Sequence, residues 1–289
     1  MKISTEIDSI AKHVGDEKAV ELVAKAGFDA WDFSMFGMAR WNGGLKLIEP
    51  KYLNHPLRVG DYVNYSKTLR KIGEDNGIYC NQSHAPFPVY VQEVKDYVKR
   101  AIECTAIAGG KICVIHPDNY KTPEQNAEMY LELLPFAKEH NVKMATENMW
   151  NWDYEKLNHA LPAACSHHDN FLAHIKAVND DYLVACVDIG HAEMFGLNTT
   201  AVETIKTLGS SVQALHIHDN DLKYDDHQIP FSRNIKFEPI VKALKEINYQ
   251  GEFTLEANTY VNNYKGDIFD AVVDLKNSAK RLADMFDKM

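Results

Sequence analysis

Eight short runs of β-branched and apolar residues recur along the chain. Each is followed by a longer stretch with one apolar face, and this alternation restricts the fold more than any other feature. The runs at 2–7, 28–33, 78–84, 111–116, 142–147, 182–188, 212–218 and 251–256 read as strands. The stretches at 16–26, 60–76, 89–109, 123–140, 169–179, 199–209, 236–247 and 267–286 carry the spacing of amphipathic helices. Gly27 and Gly77 follow helical runs, where a left-handed residue can end a helix. Thr122-Pro123 sets an N-cap before a proline at the first helical position. Strands alternating with helices imply an α/β chain with a parallel sheet. Eight units of about 36 residues suit one (β/α)8 TIM barrel occupying 1–289 as a single domain. An open doubly wound sheet would favour a glycine-rich turn after the first strand, where the chain has Asp8-Ser9-Ile10-Ala11.

Composition narrows the class. With 45% hydrophobic and 25% charged residues the chain is neither disordered nor fibrous. No apolar run approaches the roughly 18–20 residues of a membrane helix, and the N-terminus lacks the apolar core of a secretory signal. Five cysteines, an odd number with no CxxC pair, read as reduced, buried thiols in a cytoplasmic protein. A net charge of −10 argues against a nucleic-acid partner. GxSxG, Walker A and HExxH patterns do not occur.

The chemistry gathers at the C-terminal ends of the strands. From the third strand onward these ends carry His84, His116, Glu147, Asp188, His216 and Glu256. In a barrel all of them face the mouth where active sites are built. Alternation places Val184, Cys186 and Asp188 on one face of their strand, and Val212, Ala214, His216 and His218 on one face of theirs. Carboxylates and imidazoles crowded into low dielectric need compensation, because an unpaired buried charge costs several kcal/mol. A divalent cation supplies it, and Glu147, Asp188, His216 and Glu256 are the expected ligands. Their mixed oxygen and nitrogen donors suit Zn2+, Mn2+, Co2+ or Mg2+. His84, His116, His191, Asp225 and His227 are candidates for additional metal binding. Long segments at 34–58, 148–167 and 219–235 would cover the same mouth. Among the aromatic residues expected there, Trp31 and Trp150, with His84 and His191, are the candidate substrate-binding residues.

The segments QSHAPFP (82–88), VIHP (114–117), ATEN (145–148), VDIGH (187–191), LHIHDND (215–221), DDHQIP (225–230) and FTLEAN (253–258) occur in an order that resembles the xylose-isomerase-like barrels. That superfamily includes sugar and sugar-phosphate isomerases and epimerases, inosose dehydratase, hydroxypyruvate isomerase and endonuclease IV. The resemblance implies a divalent-metal-dependent isomerase or epimerase acting on a sugar, sugar phosphate or related polyol or keto acid. Glu147 and Glu256 would move a proton through a metal-stabilised enediolate. The alternatives are an endonuclease IV-like multi-zinc phosphodiesterase on abasic DNA and an inosose-dehydratase-like lyase. Ketose 3-epimerases usually carry Ser and Arg after the seventh-strand histidine; this chain has Asp219, Asn220, Asp221 and Lys223. The expected partner is a small sugar or polyol, and barrels of this type often form homo-oligomers.

Overall fold

The computed structural model describes residues 1–154 and 158–289. Its principal strands are β1 (Ile3–Thr5), β2 (Ala30–Ser34), β3 (Tyr79–His84), β4 (Ile112–Val114), β5 (Lys143–Glu147), β6 (Leu183–Asp188), β7 (Val212–His216) and β8 (Phe253–Leu255). The order β2-β3-β4-β5-β6-β7 forms one curled parallel sheet, and β1 pairs in parallel with β8. Single parallel bridges, Glu6 to Asp32 and Ile217 to Leu255, place this pair beside both edges of the sheet. Eight strand segments were expected; seven of the runs contain one of these strands, and β2 overruns the expected 28–33 by one residue, Ser34.

Helices cover the outside because each crossover must return the chain to a parallel neighbour. They include α1 (Asp8–Val14), α2 (Asp16–Ala26), α3 (Tyr62–Asp75), α4 (Gln92–Lys95), α5 (Val98–Ala108), α6 (Pro123–Glu139), α7 (His168–Val178), α8 (Ile189–Ala192), α9 (Ala201–Leu208), α10 (Phe237–Glu246), α11 (Asn258–Asn262) and α12 (Ile268–Lys288). Thr122 caps α6 as expected: its hydroxyl accepts from the Gln125 amide, and the Gln125 side chain reaches back to the Thr122 amide. Gly27 ends α2 in the left-handed region, at φ 94°. Several helical segments differ from expectation, the short α8 and α11 among them, which lie outside every expected stretch. The run 89–109 is two helices, α4 and α5, and α1 begins directly after β1, where no helix was expected. No described helix is long and apolar enough to cross a membrane.

The strand interior has two unlike halves. Val114, Ala145, Val184, Cys186 and Ala214 form a small apolar cluster from β4 to β7. The other half is polar: Ser4 bonds Asn81, Asn81 bonds Thr254, Thr254 bonds Gln82, and Gln82 bonds Asp32. The main apolar core lies between strands and helices. Trp31 belongs there, which corrects its expected place at the mouth. It is fully buried, packs on Phe33, and its indole nitrogen lies where a side chain on Gly73 of α3 would fall. The pleat explains this, since Asp32 occupies the inward face and sends its neighbours outward. All five cysteines are free and buried.

Candidate metal centre

The register of the sheet levels the strand ends: Ser34 lies beside His84, Cys186 beside Glu147, and Asp188 beside His216. Glu147 is the hub. Its Oε2 lies 3.2 Å from His116 Nε2 and 3.5 Å from His84 Nε2. Its Oε1 lies 3.1 Å from His216 Nδ1 and 3.9 Å from His191 Nδ1. Glu256 Oε2 approaches the same His216 Nδ1 at 3.5 Å. Asp225 is a second hub. One oxygen is 3.1 Å from His227 Nε2 and 3.5 Å from His218 Nε2; the other is 3.3 Å from His191 Nε2.

Three of the four expected ligands, Glu147, His216 and Glu256, therefore meet around one point. Asp188 sits in the adjoining lobe: its Oδ1 is 3.1 Å from His218 Nε2 and accepts the His191 amide at 2.7 Å. The expected additional donors are all in contact, His84 and His116 with Glu147, and His191, Asp225 and His227 with one another. His218 and Asp32 complete the set and were not among the residues expected to serve it. A signal existed for His218, which shares a strand face with His216; Asp32, set between two aromatics, offered only its parity.

The loops that supply these groups are tied down. Asn148 clamps β6, donating to the Asp188 carbonyl and accepting the Asp188 amide, both at 2.8 Å. Asp219 accepts the amides of Asn220, Arg233 and Ile235, which fixes the segment bearing Asp225 and His227. Each donor thus stands on a strand end or a loop held by backbone bonds, which favours a fixed geometry.

The hydrogen-bond pattern identifies which ring nitrogens are bare. His84 bonds the Ala85 carbonyl through Nδ1, His191 the Asn148 carbonyl, and His227 the Glu256 carbonyl, at 2.7–2.8 Å. A carbonyl only accepts, so each Nδ1 carries a proton. In the neutral ring Nε2 is then a lone pair, and in all three it faces a carboxylate oxygen. Two acceptors facing each other repel unless a cation or an added proton lies between them. Glu147 Oε2, Asp188 Oδ2, Asp225 Oδ1, His116 Nε2 and His218 Nε2 are buried with no aligned hydrogen-bond partner. Such a donor set, oriented through backbone carbonyls, fits divalent cations.

Without a cation, protons take that place. Burial opposes charge on His227, yet Asp225 and Glu256 carry its pKa up to about 10. Burial likewise opposes charge on His191, and Asp188 and Asp225 outweigh it, leaving the ring well above its ordinary value. His216 is also raised despite burial, by Cys186, Glu256 and Glu147. Burial alone would raise the Glu147 carboxyl, but His216, His116 and His84 hold it well below the usual range. His116 is the exception among the rings: burial lowers it, and Glu147 only partly offsets this.

A cavity of about 340 Å³ opens on this centre. His116, His191 and Asp225 lie on its wall, with Phe87, Tyr90, Tyr120, Met149 and Trp150 around them. Phe87 stacks on His116 at 4.6 Å between ring centres, and Trp150 stands edge-on to His191. Trp150 is thus at the mouth as expected. Phe36 is there too, edge-on to His84, whereas Phe33 packs in the core with Trp31.

The family profile described as "Xylose isomerase-like TIM barrel" matches residues 20–287. The chain belongs to the xylose isomerase-like TIM barrel family. An uncharacterized protein of Methanocaldococcus jannaschii is 24% identical over 290 residues, covering 89% of each chain. The crystal structure of a D-tagatose 3-epimerase-like protein superposes with a TM-score of 0.72 at 20% identity, covering 100% of this chain and 99% of that one. The IOLI protein with a bound zinc atom gives 0.68 at 17% identity, with 100% and 99% covered. These likenesses agree with the parallel strand order of the xylose isomerase-like fold.

Two outcomes follow from the packing and the protonation of the centre. A Cβ at Gly190 would fall inside the His218 imidazole, so Gly190→Ala should displace that ring. We expect roughly tenfold weaker zinc binding from loss of an oriented donor; affinity unchanged in chelator competition would contradict the placement of His218. Second, His191, His216 and His227 hold protons at neutral pH in the stripped protein, so zinc uptake must expel them. All three rings are raised above their ordinary value, so protons compete through the neutral range and zinc affinity should climb with pH there. An indicator dye in weak buffer at neutral pH should register proton release on zinc addition; no release would contradict the protonation assigned here.

Proposed function

We propose that the chain is a single (β/α)8 domain acting as a divalent-metal-dependent isomerase or epimerase of a sugar, sugar phosphate or related polyol or keto acid. The observation that carries this reading is the pair Glu147 and Glu256, whose carboxylate oxygens lie 3.1 Å and 3.5 Å from the one nitrogen, His216 Nδ1. Two bases that converge on one point from different strands can take a proton from a substrate carbon and return it. Glu147, His216 and Glu256 would hold the ion, with Asp188 reaching it from the adjoining lobe. Bound there, a divalent cation polarises a carbonyl and acidifies the neighbouring C–H.

The remaining steps belong to the chain. Glu147 is ionised at neutral pH because His216, His116 and His84 outweigh its burial, so it can accept a proton. Glu256, exposed at 7%, is the less buried of the two and can return one to the opposite face or to the adjacent carbon. The first outcome is epimerisation and the second is aldose–ketose isomerisation. His84 and His191 border the centre and would orient substrate hydroxyls. Phe87 and Trp150 offer apolar faces to a sugar ring and limit water. The named solved structures with this fold include an epimerase-like protein and a zinc-bound protein, which supports the same reading.

One observation favours a second reading. The donors fall into separate groups, His84, His116 and Glu147 in one, and His191, His218, Asp225 and His227 in another, enough for more than one ion. That composition suits an endonuclease IV-like phosphodiesterase. Against it, two arginines of the 34–58 segment are already engaged, Arg40 with Asp8 and Arg58 with Glu93, and the net charge is −10. Nicking of abasic duplex DNA would favour the second reading over the first.

Solvent-deuterium exchange into a panel of free ketoses, ketose phosphates and inososes tests the first reading. Glu147→Gln and Glu256→Gln should each lower exchange by roughly 10²–10⁴-fold, the range for loss of a general base or acid. A variant retaining ordinary exchange would contradict its assigned role.

A further inference from the structure

His216 is turned the opposite way from its neighbours. His84, His191 and His227 bond backbone carbonyls through Nδ1 and offer Nε2. His216 instead points Nδ1 at Glu147 and Glu256, and its Nε2 lies 3.4 Å from Asp32 Oδ2. Asp32 is fully buried on β2, a strand that carries none of the expected ligands. Its Oδ2 accepts the Gln82 amide at 2.9 Å, and its Oδ1 is buried with no aligned partner.

The Gln82 amide is itself fixed. Its nitrogen also donates to the Leu215 carbonyl at 3.3 Å, and its oxygen receives the Thr254 hydroxyl at 3.4 Å. The Leu215 carbonyl, which only accepts, therefore requires the nitrogen on its side and Asp32's, and the Thr254 hydroxyl is compatible with that orientation. Gln82 supplies one hydrogen bond, which leaves a buried carboxylate far from satisfied. The ring N–H of His216 is the other donor in reach. A carboxylate cannot donate, so a proton shared between Asp32 and His216 Nε2 leaves Nδ1 as the bare nitrogen.

We infer that Asp32 is a positioning residue: it holds the proton of His216 on Nε2 and thereby presents Nδ1 as the metal-binding atom between Glu147 and Glu256. The polar column through Ser4, Asn81, Thr254 and Gln82 then has a function. It keeps Asp32 in place in an interior whose other half is apolar. Carboxylates that orient ligating histidines in this way sharpen metal binding, and their loss typically weakens affinity 10–100-fold. This inference rests on the reading that a divalent cation occupies the centre.

Asp32→Asn preserves shape and removes the charge. Zinc affinity measured by chelator competition should fall about 10–100-fold in the variant. In wild-type protein loaded with cadmium and isotope-labelled histidine, the His216 resonance should show cadmium coupling to Nδ1 and a proton on Nε2. Equal zinc affinity in the folded variant would overturn the role of Asp32 while leaving the metal centre intact. Coupling through Nε2 in the wild type would overturn it too, and that result decides the matter if the variant does not fold. A wild type that takes up neither zinc nor cadmium would overturn the metal reading and this one with it.

Discussion

Lone pairs that face one another in a dry environment are the constraint on which the site depends. His84, His191 and His227 are each fixed by a backbone carbonyl so that Nε2 looks at a carboxylate oxygen. Such an arrangement is repulsive in the neutral protein, and only positive charge makes it stable. A divalent cation bound there would compete with protons for the same positions. The raised values of His191 and His227 show what the scaffold demands when protons alone answer it.

The strand architecture makes the demand tolerable. Parallel strands deliver their C-terminal ends to one level, so Glu147, Asp188 and His216 reach the mouth from adjacent strands. Backbone bonds from Asn148 and Asp219 fix the loops. Beneath the site, one interior half is small and apolar while the other is a hydrogen-bonded column ending at Asp32. The apolar half lowers the local dielectric around the carboxylates, and the polar half orients one of the rings. Aromatic residues at the cavity then shield the centre from bulk water. Structure and chemistry are linked at each step, since the pleat that sends Trp31 into the outer core is the pleat that sends Asp32 inward.

Much of this was legible in the sequence, for definite reasons. Strand positions followed from β-branched runs, and the α6 start followed from Thr122 and Pro123, because these signals are local. The donors Glu147, Asp188, His216 and Glu256 stood out as polar residues ending apolar strands. Helix α1 was missed because it starts without a side-chain hydrogen bond capping its first turn. The division of 89–109 depends on a turn near Asp96 that periodicity does not reveal. Trp31 was misplaced because proximity to a strand end was weighed above strand parity. Asp32 and His218 were overlooked because their partners, Gln82 and Asp188, lie 50 and 30 residues away in the chain, and only the folded sheet brings them together.

Anomalous scattering at the zinc edge, collected from crystals of the zinc-loaded protein, tests the central claim most directly. The account predicts a peak bounded by Glu147, His216 and Glu256, with the His216 ring presenting Nδ1 toward it. A map with no peak among these carboxylates and imidazoles, and the rings instead bonded directly to the carboxylates, would contradict it.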